Sequence, residues 1–191
     1  MVHGKEIELK ILDVNVGEVR HRLAALNAKK VGVYNFKRLV FPIKSRKGYQ
    51  AWMRLRTDGK KTTLTMKKQR GDALTSTMEW EVMVSAFEDT ARMLCSALKK
   101  FYYVENHREE YALEGTQVTI DRWPMLPALV EIEGSSERKV MDVYRRLGIS
   151  GRAVGNISAE KVYRLYGIDS TKVTSMYSKK AHKLLGYPMQ G

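Results

Sequence analysis

Alternation of apolar and polar residues dominates the chain up to about residue 134. In KEIELKI, read as a strand, Ile7, Leu9 and Ile11 fall on one face, and Glu6, Glu8 and Lys10 on the other. The same period of two returns in AWMRLR, TTLTMKK, MEWEV, VTIDRW and VEIEG. It predicts eight strands, at about 2–12, 34–43, 50–58, 61–69, 77–84, 102–113, 116–123 and 128–134. Asp58-Gly59, between the third and fourth, is a tight-hairpin signal. A period near 3.6 takes over in three stretches. The first, about 15–29, has Asn15 as N-cap and Val19, Leu23 and Leu26 on one face. The second, about 86–100, opens with Ser85 and Glu88 at capping-box spacing, and the third, about 136–147, turns Val140, Val143 and Leu147 inward. A short helix in SAEKVYRLYG and a helix-like tail in TSMYSKKAHKLLG follow. Consecutive strands with short turns predict antiparallel pairing, closed into a barrel or bent into a strongly curved sheet, with the helices outside.

The polar faces are organised. Trp52, Arg54 and Arg56 share one face, as do Thr63, Thr65 and Lys67, Glu79 and Glu81, Thr119 and Asp121, and Glu131 and Glu133. One Glu-x-Glu strand arises by chance on a solvated sheet, but three of them beside an Arg-x-Arg strand predict a charged interior. Paired carboxylates suit hard divalent cations such as magnesium or manganese, and clustered Arg and Lys suit a polyphosphate. On this reading Glu6 and Glu8 hold metal and Lys10 a phosphate. The plain alternative is an open sheet with cross-strand salt bridges, in which Glu79 or Glu81 merely neutralises Arg54 or Arg56. Trp52 offers a stacking surface or fills one end of the barrel. Glu109, Glu110 and Arg122 read as surface residues. Tyr102, Tyr103, Tyr111, Tyr163 and Tyr166 read as packing between helices and barrel.

At 191 residues with 43% hydrophobic content, the chain suits one medium domain. The 34 Lys and Arg against 21 Asp and Glu give a formal charge of +13, which points to an anionic partner or a solvated basic surface. The single cysteine, Cys95, excludes an internal disulfide, and its place on the apolar face of the second helix predicts a buried, inert thiol. The four histidines lack metal-ligand spacing, so zinc is not expected. No apolar run reaches membrane-spanning length and no signal-peptide core opens the chain, so a soluble, cytoplasmic protein is expected. Residues 168–191 are set apart as a basic C-terminal helical tail, after a tunnel domain over 1–167.

Taken in order, E-x-E-x-K (Glu6, Glu8, Lys10), R-x-R (Arg54, Arg56), L-T-M-K (Lys67), E-W-E (Glu79, Glu81), N-H-R-E-E-Y (Arg108), T-I-D (Asp121) and V-E-I-E-G (Glu131, Glu133) resemble the CYTH superfamily. These are the triphosphate tunnel metalloenzymes, which include class IV adenylate cyclases, thiamine triphosphatases and inorganic triphosphatases. The resemblance runs from about residue 5 to residue 134, and S-A-E-K-V-Y is similar to the family's C-terminal helix. It implies an α+β fold, an eight-stranded antiparallel β-barrel forming a triphosphate tunnel wrapped by α-helices. It also implies Glu6, Glu8, Glu131 and Glu133 as metal ligands with Asp121 assisting, and Lys10, Arg54, Arg56, Lys67 and Arg108 as triphosphate-binding residues. Catalysis would rest on Glu6, Glu8, Lys10, Arg56 and Glu133, supported by Glu79, Glu81, Asn106 and Trp52.

Asn106 is a departure, because the family often has Lys there; the amide keeps a donor but removes a charge. The activity implied is hydrolysis of an inorganic or organic triphosphate with magnesium or manganese. The same ligands would serve a class IV adenylate cyclase making cyclic AMP and pyrophosphate from ATP. A non-catalytic protein that binds polyphosphate, a nucleotide or nucleic acid is a further alternative. A small-molecule triphosphate is the expected partner; no membrane is expected, nucleic acid is disfavoured by the acidic pairs, and a homodimer stays open.

Overall fold

Alternation along the chain becomes one antiparallel sheet. The structure, a computed structural model, describes residues 2–75, 77–98, 100–169, 172–173, 176–177, 179–181 and 186, without the side chains of residues 2–4 and 6. In chain order the elements are β1 (Val2–Glu6), β2 (Glu8–Leu12), α1 (Val16–Ala25), β3 (Lys29–Ile43), β4 (Gln50–Thr57), β5 (Thr62–Gln69) and β6 (Thr77–Met83). These are followed by α2 (Phe87–Leu98), β7 (Tyr102–Leu113), β8 (Thr116–Arg122), β9 (Leu129–Glu133), α3 (Glu137–Leu147), β10 (Arg152–Gly155) and α4 (Ala159–Leu165).

The strand order is β1-β6-β5-β4-β3-β7-β8-β9-β2-β10. Since β1 and β2 are one stretch of chain interrupted only at Ile7, this order closes on itself: β1 pairs with β6 and β2 with β9. The eight-stranded barrel expected from the sequence is therefore present, with two corrections to the strand count. The opening strand is broken at Ile7, and β10 is added beside it. The break follows from a change of partner along one edge. Residues 2–6 pair with β6, the Glu8 N–H donates to the Leu74 carbonyl at 3.2 Å, and residues 10–12 pair with β10.

Asn156, just past β10, locks this seam. Its N–H donates to the Asp72 carbonyl at 3.1 Å, its side-chain amide to Thr77 Oγ1 at 3.3 Å, and its carbonyl accepts from the Gln69 amide. Gly155 has φ +74°, and a Cβ there would stand 2.5 Å from the Asp72 carbonyl oxygen, so both conformation and space demand glycine.

β3 begins at Lys29, not near residue 34, and α1 ends at Ala25. The β3 register against β7 carries pairing back to Lys29 opposite Ala112, which turns the last residue of the expected first helix into strand. The Asp58 turn forms as expected: Asp58 Oδ1 accepts from the N–H groups of Lys60 and Lys61 at 2.8 and 2.7 Å. Asn15 caps α1, accepting from the Glu18 N–H at 3.0 Å.

Helices cover the apolar outer face of the barrel. Val19 and Leu23 of α1, with Val140, Val143 and Leu147 of α3, pack on Leu9, Ile11, Val118, Ile120, Val130 and Ile132. Phe87, Ala91 and Cys95 of α2 pack on Leu39, Phe41, Leu55 and Tyr103. Burial pushes the Cys95 thiol up to about 11, which leaves it an inert hydrophobe at neutral pH. α4 lies across one end of the barrel, and its Tyr163 hydroxyl donates to the Pro124 carbonyl at 3.0 Å. Of residues 168–191, Val173 joins Val104 and Tyr163, and Ala181 joins the α2 cluster. Most of the expected basic tail, including His182 and Lys183, lies outside the described residues. No helix among the described residues is long and apolar enough to cross a membrane.

Candidate active site

A cavity of about 720 Å³ runs through the barrel. Its lining follows from strand register. Val40, Arg54, Thr65 and Glu81 stand in one cross-strand row over β3, β4, β5 and β6, and Trp52, Lys67 and Glu79 stand in the next. On the other side Arg108 stands beside Asp121, Glu131 lies between Thr119 and Lys10, and Glu133 lies between Gln117 and Glu8. Of the residues expected from the sequence, Glu8, Lys10, Trp52, Arg54, Arg56, Lys67, Glu79, Glu81, Arg108, Glu131 and Glu133 all line the cavity. Glu6 pairs through its backbone with Thr77, and its side chain lies outside the described residues. Asp121 is fully buried behind the lining.

The charges pair off in two walls. On the β4–β5–β6 wall the two arginines stand far from their carboxylates, while the lysine sits close to one. Arg54 Nη2 stands 3.8 Å from Glu79 and 3.6 Å from Glu81, Arg56 Nη2 stands 3.8 Å from Glu81, and Lys67 Nζ stands 3.0 Å from Glu79. Burial, with Arg54 and Arg108 nearby, pulls the Arg56 pKa down to about 10. On the β7–β8–β9–β2 wall the contacts are short. Arg108 Nε donates to both Asp121 oxygens at 2.9 and 3.0 Å, and Arg108 Nη2 lies 2.5 Å from Asp121 and from Glu131. Burial opposes the Arg108 charge, but Asp121 and Glu131 more than offset it and hold its pKa above the usual guanidinium value. Lys10 pairs with Glu8 and stands 3.4 Å from Glu131. Burial works to raise the Glu131 pKa, but Lys10 and Arg108 outweigh it and keep the carboxyl below its usual range.

Between the walls, β3 supplies a cation that the sequence reading passed over. Arg38 is 3% exposed, lines the cavity, and donates from Nε to Asn106 Oδ1 at 2.6 Å. Asn106 in turn donates to Asp121 Oδ1 at 2.8 Å. The signal lay in the alternation of Phe36, Arg38, Val40 and Pro42, where Arg38 is the one charge on an otherwise apolar inner face.

A divalent cation fits this donor set. Among the described residues no three acidic, His or Cys side chains are gathered at metal-holding distance. Glu8 and Glu131 nevertheless meet at one cation, the Lys10 ammonium, where a divalent ion would find two carboxylates close together. Glu133 extends the acidic set towards the opposite end of the barrel from α4. All three offer hard oxygen donors. Asp121 is engaged by Arg108, Asn106 and Thr119, which gives it an orienting geometry.

Several side chains lie elsewhere than expected. Glu109 is not a surface residue: it is 2% exposed beneath α1, bonded by Arg20 at 2.5 Å and Arg122 at 3.0 Å. Its hydrogen bond from Arg20 leads several contacts that draw its pKa down to about 2. Glu110 faces the cavity, as do Tyr102 and Tyr163, whereas Tyr103 and Tyr111 pack in the outer cores.

No curated protein matches this chain. Among solved structures, a conserved hypothetical protein from Pyrococcus furiosus is 20% identical, with a TM-score of 0.67 over 82% of this chain and 98% of that one. A candidate adenylate cyclase from Vibrio parahaemolyticus is 10% identical, with a TM-score of 0.65 over 85% and 99%. A candidate adenylyl cyclase from Hippeastrum, described as having a dominant triphosphatase activity, is 12% identical, with a TM-score of 0.55 over 88% and 97%. At these identities the likeness is one of fold. Membership comes instead from the match of the CYTH domain model to residues 4–166, a span that holds both charged walls: the chain belongs to the CYTH domain family.

Proposed function

We propose that the protein is a divalent-metal-dependent triphosphate hydrolase that takes its substrate inside the barrel. One observation carries this reading: guanidinium and ammonium groups stand on both sides of one cavity, in which two of the carboxylates, Glu8 and Glu131, meet at Lys10. Phosphoryl transfer needs positioning and charge neutralisation more than covalent help. Arg54, Arg56 and Lys67 would grip the non-bridging oxygens from one side and Arg108 from the other, its plane fixed by Asp121. Glu8, Glu131 and Glu133, with Glu6 beside them in sequence, would hold magnesium or manganese. When bound, such an ion neutralises phosphate oxygens and lowers the pKa of a bound water. Ala159, Glu160, Tyr163 and Arg164 of α4 line the cavity at one end. In-line attack of water at a terminal phosphorus breaks the P–O–P bond and releases orthophosphate.

Aromatic groups near α4, Trp52, Tyr102 and Trp123, favour a second reading, in which an adenine stacks at that end and ATP is cyclised. A product assay with manganese or magnesium separates the two, comparing inorganic triphosphate, thiamine triphosphate and ATP, with Glu8→Gln as control. Orthophosphate absent in the variant supports the hydrolase. Cyclic AMP with pyrophosphate moves the protein to the cyclases, and tight binding without turnover leaves a polyphosphate-binding protein.

A further inference from the structure

Arg38 differs from every other cation in the cavity. Lys10, Arg54, Arg56, Lys67 and Arg108 each have a carboxylate within 4 Å. Arg38 has none among the described residues; its Nη2, like Arg54 Nε, is buried without a hydrogen-bond partner, but Arg54 keeps carboxylates nearby. Its guanidinium is stacked, with its central carbon 5.1 Å from the Phe36 ring centre and 4.7 Å from that of Trp123. Asn106 fixes its direction through Nε, and that amide is fixed through Asp121. A lysine at position 106 would offer only donors and could not hold a second cation this way.

An unsatisfied buried donor is destabilising, and burial together with Arg54, Arg108 and Arg56 disfavours the charge of Arg38. Asp121, the Asn106 bond and the two aromatic rings offset part of this, but none of them partners Nη2. A stacked, aimed and unpartnered guanidinium nitrogen at the junction of two cation-bearing walls has the features of a donor kept for an anion.

We infer that Arg38 is a substrate-binding residue, its Nη2 donating to a phosphoryl oxygen of a triphosphate that lies between the two walls. This rests on the triphosphate reading above and assigns it a contact made from β3. The arrangement also gives Asn106 a use: it seats a neighbouring arginine instead of a charge of its own.

The test is a calorimetric titration of inorganic triphosphate into the wild-type protein and Arg38→Leu, with calcium in place of the metal that supports turnover, so that the ligand is not hydrolysed during the titration. Leucine keeps bulk while removing an unpaired buried charge, so the thermal midpoint without ligand stays level or rises. Affinity for triphosphate falls roughly 10- to 100-fold. Wild-type binding matched by a folded Arg38→Leu overturns this inference alone. Absence of binding by the wild type overturns the triphosphate reading and this inference with it. Should Arg38→Leu fail to fold, Arg38→Lys replaces it: a point charge without the fork binds roughly tenfold more weakly, and undiminished affinity overturns the inference.

Discussion

The two walls of the barrel carry similar residues and treat them differently. Arg56 on β4 meets its carboxylate at 3.8 Å, and burial pulls its pKa down to about 10. Arg108 on β7 is clamped by two carboxylates at 2.5 Å, which hold its charge in place against burial. A loosely paired guanidinium can turn to an incoming phosphate at little cost. A tightly paired one gives up its carboxylate only when another cation takes that carboxylate over. On the proposed function the difference would divide the labour: the arginines of the β4–β5–β6 wall would be free to grip, while the β7–β8–β9–β2 wall would stay paired unless a metal took the carboxylates of Lys10 and Arg108. Thus the cross-strand pairs that the plain reading would place on an open sheet do form, but inside a tunnel where they can exchange partners.

The largest expected effect breaks the tight wall at its shared carboxylate. Glu131→Gln lowers hydrolysis of triphosphate by about 10³-fold. Stability falls by only about 1 kcal/mol, because Arg108 keeps Asp121 and Lys10 keeps Glu8. Phosphate-release rates and thermal melts read the two effects separately. Asp121→Asn strikes the same wall from behind and leaves the buried Arg108 guanidinium with Glu131 alone. It costs about 3–5 kcal/mol in urea denaturation.

Glu109 serves as a reference, since it pairs with Arg20 and Arg122 on the outside of the same strand. Glu109→Gln costs about 2 kcal/mol and leaves hydrolysis unchanged. A carboxylate drawn down to about 2 in the folded protein stabilises it fully above the unfolded value and loses that contribution as pH falls. Melts of wild type and Glu109→Gln therefore differ at pH 7 and converge between about pH 4.5 and pH 2. The smallest effect is on the loose wall. Arg56→Lys raises KM about tenfold through loss of the planar fork, with no measurable change in thermal midpoint.

How much of this was legible in the sequence depends on what each feature rests on. Residues that alternate strictly within one strand, such as Arg54 with Arg56 or Glu131 with Glu133, could be placed on one face at once, because a period of two leaves no other choice. The split at Ile7 could not be read, since it comes from the handover of one strand edge from β6 to β10, and no local residue marks it. The early start of β3 was hidden for a like reason: register against β7, not the local pattern, extends it to Lys29. Glu109 was misread because its partners, Arg20 and Arg122, come from distant segments. Arg38 was legible in principle, but a lone charge on an apolar face lacks the repetition that made the other sites visible.

The most direct test of the divided walls is a titration of the wild-type protein with inorganic triphosphate, with calcium in place of the metal that supports turnover and again with the metal chelated. If the tight wall yields only to a cation, metal strengthens triphosphate binding about 50-fold or more. Equal affinity in the two titrations would contradict the account, because Lys10 and Arg108 would then be leaving their carboxylates without a metal to replace them.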